Sequence, residues 1–105
     1  MEQKTFKDVE RFSKEKHIHV PLFTSDRTKV ILLCLSAGLT VAPHSHPGFE
    51  VTLQPIKGKA VLPVEGGKEI ELHEGEIYFM DGAGSFSPRN PFSEDFTMLI
   101  HLIKR

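Results

Sequence analysis

His44 and His46 stand two residues apart, and a carboxylate, Glu50, follows four residues after the second. Side chains two apart on an extended chain point to one side, so the two imidazoles can converge on one point. Glu50 cannot join them along a straight strand, where four residues span about 13 Å. The intervening Pro47-Gly48 can turn the chain and fold the carboxylate back beside the rings. Two imidazoles and one carboxylate on one side of a cation leave coordination positions open. That set suits a divalent transition metal: Fe, Mn, Ni or Zn. A bare His-x-His beside proline is by itself no metal site, so its setting has to carry the reading.

The setting is a series of short strands. Residues 17–24 alternate, with Ile18, Val20 and Leu22 on one face and His17, His19 and Pro21 on the other. Proline cannot donate to a ladder, which places this strand at an edge and its two histidines toward solvent or an interface. Residues 29–36 are apolar on both faces and predict a strand covered on both sides. Cys34 lies in that run as a small buried hydrophobe. Further strands are expected at 51–54, 59–65, 68–73, 76–80, 85–89 and 96–104, with a tight hairpin at Gly66-Gly67. Ahead of them, residues 5–15 can form a short helix in which Thr5 precedes Phe6, Val9 and Phe12, or an extended arm. Short strands separated by turns every eight to twelve residues predict an all-β sandwich or barrel.

Composition narrows the class. The chain has 105 residues, 39% hydrophobic and 26% charged, which suits a single globular domain over 1–105, with residues 1–24 as an arm or edge strand and 25–105 as the barrel. A formal net charge of -1 leaves no basic surface for nucleic acid. The longest apolar run, Val30 to Leu35, is too short for a membrane span. The first residues hold no apolar signal segment, and one cysteine excludes an internal disulfide framework, so a cytoplasmic location is expected.

Gly38, five residues, His44-x-His46, three residues and Glu50 resemble the first motif of the cupins. The stretch Gly75 to Asn90 is similar in length and ends to the second motif, and the hairpin at Gly66-Gly67 fits the variable segment between them. The resemblance covers about residues 28–103. It implies an antiparallel double-stranded β-helix, or jelly-roll barrel, with a metal inside and a homodimer built on the N-terminal strand. Three departures stand out. Gly58, which closes the first motif, comes one residue late, and a bulge near Pro55 would absorb the extra residue. Asp81 and Ala83 replace the second motif's proline and central glycine. The second motif's histidine, a fourth ligand in typical cupins, falls on Phe86, which cannot ligate.

The expected metal ligands are therefore His44, His46 and Glu50, with Phe86 as an apolar wall over the open side. If Leu99, His101 and Ile103 face the barrel, His101 can replace the missing ligand; otherwise it is a hydrogen-bonded interior or surface histidine. Thr52, Phe86 and Met98 (or Leu99), with Tyr78 or Phe79, are the expected pocket. Asn90 is expected to fix a turn before Pro91. Three functions compete on this basis: a metal-dependent, oxygenase-like enzyme on a small organic substrate; a small-molecule binding or sensing module, with a degenerate or metal-free site; and a structural jelly roll with a vestigial site.

Overall fold

The computed structural model describes residues 1–105. Its strands are β1 (Ile18–Thr24), β2 (Thr28–Leu35), β3 (Phe49–Lys57), β4 (Lys59–Val64), β5 (Lys68–His73), β6 (Tyr78–Asp81) and β7 (Phe96–Lys104). Five of them form one antiparallel sheet in the order β1-β2-β7-β3-β6, and β4 pairs β5 in a second. Isolated bridges Val61–Arg89, Thr40–Arg89 and His44–Phe86 extend the second sheet. The expected strand at 85–89 exists only as these bridges, because Pro88 lacks the N–H that a regular ladder needs.

Two apolar layers follow from the period of two. Leu33, Leu35, Val51, Leu53, Phe96, Met98, Ile100 and Leu102 point between the sheets and meet Ala60, Leu62, Leu72 and Phe86 from the facing side. On the other face of the large sheet, Leu22, Leu32 and Cys34 form a smaller cluster with Ile18, Val20 and Leu99. The N-terminal arm covers that cluster with Phe6, Val9 and Phe12. β2 is thus buried on both sides, as its unbroken apolar run predicts. Only Phe6–Val9 is helical, one turn held by packing, since so short a helix has no stability of its own. Cys34 is fully buried, and burial pushes its thiol pKa up. The Arg11 backbone N–H donates to its Sγ at 3.4 Å.

The details at the ends of the strands position the site. β3 runs through Pro55 to Lys57, longer than residues 51–54, and its pairing with β7 slips between Pro55 and Lys57. That slip is the bulge the late Gly58 requires. β4 and β5 join through a tight turn at Glu65–Gly67, where Gly66 and Gly67 have φ of 83° and 75°. Such angles suit glycine and strain any other residue. Asn90 is buried; its Nδ2 donates to the carbonyls of Leu35 and Glu94, and its Oδ1 accepts from Phe92 N. It therefore locks the turn before Pro91 to the end of β2.

Candidate functional site

His44 and His46 lie in the connection between β2 and β3, at one end of the barrel. The backbone of His44 exchanges two hydrogen bonds with Phe86, at 3.1 and 2.7 Å, which sets both side chains on one face. Pro47 and Gly48 then turn the chain, with Phe49 N donating to His46 O at 3.2 Å. Gly82 presses against this turn. Its N–H donates to Phe49 O at 2.8 Å and its carbonyl accepts from His46 N at 2.6 Å. A Cβ on Gly82 would lie 2.2 Å from His46 O, so only glycine permits the approach.

The two rings meet as the spacing predicts, with centroids 4.9 Å apart and planes at 86°. Phe86 packs edge-on against His44, 5.4 Å between centroids. Nδ1 of His44 lies 3.1 Å from the Ala42 carbonyl. A carbonyl only accepts, so this nitrogen carries a proton and Nε2 is the ring nitrogen left without that partner. His46 borders a small cavity with Val51, Met80, Gly82, Gly84, Phe86 and Ile100.

Glu50 is placed differently from expectation. In β3 the inward residues are Val51, Leu53 and Pro55, all buried, so Glu50 faces outward. There its carboxylate lies 3.8 Å from Arg105, which also donates to Asp81 at 3.0 Å. The Pro47-Gly48 turn reverses the chain but leaves the carboxylate on the other face from the imidazoles. Thr52 shares the outward parity of Glu50 and pairs with His101, another outward residue. His101 and Thr52 are therefore not barrel residues. The reason is the same for both: Met98, Ile100 and Leu102 occupy the inner face of β7, and Val51 and Leu53 that of β3. Met98 points inward but is fully buried in the core, away from the cavity beside His46. Tyr78 packs on the inner core, whereas Phe79 is 65% exposed. No three His, Cys, Asp or Glu side chains converge into a group that could hold a metal.

One neighbourhood was invisible in the linear pattern. β1 brings His17 and His19 to the His44 pair. Ring centroids run 4.9 Å from His17 to His19, 6.2 Å from His19 to His44 and 4.9 Å from His44 to His46, a row rather than a shell around one point. His19 is exposed as a whole residue, yet its ring is partly shielded from water. That shielding first, then the three neighbouring imidazoles, lowers its pKa to about 4. His17 and His46 are lowered too, in each case by burial first and His44 second. These rings are neutral at pH 7. Two His-x-His pairs, one on an edge strand and one before a turn, were the only available signal of their meeting.

No protein-family model and no curated protein matches the chain. Solved structures do. TT1209 from Thermus thermophilus is 28% identical, with a TM-score of 0.89 over 100% of this chain and 99% of that one. A double-stranded β-helix domain protein from Klebsiella pneumoniae, 19% identical, superposes with a TM-score of 0.91 over 99% of this chain and 90% of its own. An RmlC-like cupin from Desulfovibrio desulfuricans, 17% identical, gives 0.86 over 98% and 96%. The antiparallel two-sheet barrel and these likenesses agree: the chain has the double-stranded β-helix fold of the small cupins.

Proposed function

We propose that this cupin barrel binds a small organic ligand without a resident catalytic metal. One observation carries the reading. Of the donor positions that the cupin resemblance implies, the carboxylate of Glu50 faces outward beside Arg105 while its inward neighbour is the buried Val51, and the fourth position holds the buried Phe86. His44 and His46 are left over an apolar floor, half of a tetrahedral set. The oxygenase-like reading needs three ligands on one side of an iron, and the outward Glu50 withholds the third. A neutral imidazole offers one donor and one acceptor, which suits a polar group on an otherwise apolar ligand. Native mass spectrometry and element-resolved metal analysis of protein purified without an affinity tag test this. The expected result is a retained organic ligand and metal well below one equivalent. A full equivalent of iron or manganese that supports turnover overturns it.

The row of four imidazoles favours a second reading, an exchangeable divalent cation held by nitrogen alone. His44 and His46 would be its ligands, with His19 the nearest further donor, and the metal would supply Lewis acidity to a bound ligand. Calorimetric titration with Zn(II) separates the two readings. Binding that weakens in His19→Ala supports the cation, and no binding to the unaltered protein removes it.

A further inference from the structure

The space beside His46 is nearly full. The cavity lined by His46, Val51, Met80, Gly82, Gly84, Phe86 and Ile100 measures about 10 Å³, at the lower limit of what a single water occupies. Next to it lies a far larger cleft of about 590 Å³, between β6 and the β4–β5 hairpin. Only Met80 and Gly84 border both spaces. Met80 is the movable one. Its ε-methyl lies 3.4 Å from the point a Cβ on Gly84 would take, so the bare glycine leaves that methyl its seat. Methionine is unbranched with three rotatable bonds, and it changes rotamer more readily than the branched residues around it.

The cleft also describes its occupant. Eight of its thirteen lining residues are hydrophobic, and Val64, Ile70 and Phe79 remain exposed to water within it. An uncovered apolar patch of that kind marks a binding surface. Its only charged lining residues are Glu65 and Asp81. Asp81 is paired with Arg105, whereas Glu65 makes no ion pair. An anionic ligand would meet an unneutralised carboxylate.

We propose that Met80 is a gate, and that the cleft takes an apolar-bodied, neutral or cationic small molecule whose end passes Met80 to reach His46. The gate rests on the small-ligand reading above but not on any metal. In the seated position Met80 closes the barrel. When it swings away from Gly84, the two spaces merge and the imidazole becomes the polar end of one continuous site.

The test uses N-phenyl-1-naphthylamine, a neutral aromatic amine, followed by fluorescence and by the imidazole Cε1–Hε1 NMR signal of His46. The unaltered protein, Met80→Ala and Met80→Ile are compared, each first checked for cooperative thermal unfolding. Met80→Ala removes the gate; Met80→Ile keeps an apolar plug of similar size, but its β-branch is stiff at χ1 and cannot swing. The probe is expected to bind all three, to shift His46 most in Met80→Ala with about tenfold tighter binding, and to leave His46 unmoved in Met80→Ile. Binding with the same His46 response in all three proteins overturns the gate and leaves ligand binding intact. Failure to bind any of them, including through a second copy covering the cleft, overturns the gate and the small-ligand reading together. Should Met80→Ala not fold, the unaltered protein against Met80→Ile still decides: an equal His46 response refutes the gate.

Discussion

His44 and Phe86 face one another across a two-hydrogen-bond bridge, their rings 5.4 Å apart and nearly perpendicular. Phe86 is 4% exposed, so its ring closes the barrel floor where an imidazole would complete a metal shell. In β3 the inward residue next to the outward Glu50 is Val51, again a hydrocarbon. A donor placed at each of the two positions should raise metal affinity. The double variant Val51→Glu with Phe86→His is expected to bind Zn(II) or Fe(II) more than about tenfold tighter than the parent, equivalent to about 1.4 kcal/mol. It should lose roughly 1–3 kcal/mol of stability, since two polar groups enter an apolar core. Calorimetry with and without metal measures both. Equal affinity in parent and variant would mean that these positions do not face the imidazoles.

Glu50 should be dispensable. Its carboxylate is exposed and shares Arg105 with Asp81. Exposed pairs of this kind contribute about 0–1 kcal/mol. Glu50→Gln is expected to change the urea midpoint little and to leave Zn(II) and probe titrations unaltered. A tenfold loss of Zn(II) affinity would return Glu50 to the site.

The histidine row should make stability fall in mild acid. His17, His19 and His46 are all harder to protonate in the folded protein than in the unfolded chain, His19 down to about 4 against 6.5. Between those values the unfolded chain takes up protons that the folded state refuses, so acidification favours unfolding. Their contribution is fully present above about pH 6.5 and declines toward pH 4. Urea unfolding at intervals from pH 7.5 to 4.5 should show this slope, reduced in His19→Gln. A variant with the parent's slope would show that His19 is not the group responsible.

Two glycines in one loop should respond oppositely. A Cβ at Gly82 meets the backbone oxygens of His46 and Phe49 at 2.2 and 2.5 Å, whereas one at Gly84 meets nothing nearer than 3.4 Å. Gly82→Ala must push back the turn carrying His46, at about 1–3 kcal/mol, typical of forced overpacking. Gly84→Ala is expected to be near neutral. Thermal unfolding and the His46 imidazole signal read both effects. An unshifted His46 in Gly82→Ala would separate this glycine from the site.

Much of the fold was legible because its signals are local. Apolar runs on both faces marked β2 as a covered strand, paired glycines marked the β4–β5 turn, and the late Gly58 announced a bulge in β3. The convergence of His44 and His46 was equally local, resting only on a spacing of two. Even the outward direction of Glu50 was written in β3, where Val51 and Leu53 alternate with Glu50, Thr52 and Gln54. The turn residues before it offered a competing way to fold it back.

The chain's own order thus determined strands, turns and which residues share a side, because these depend on a period of two and on backbone angles. It could not determine which side of β7 faces the barrel, since Met98, Ile100 and Leu102 are matched by Leu99 and Ile103 on the other face. Only packing against the second sheet decided that, and with it the outward place of His101. Nor could it bring His17 and His19 to His44, or divide the space beside His46 with the Met80 side chain. Those relationships join residues 25 or more positions apart. They exist because antiparallel strands lie side by side in the closed barrel, which no local pattern encodes.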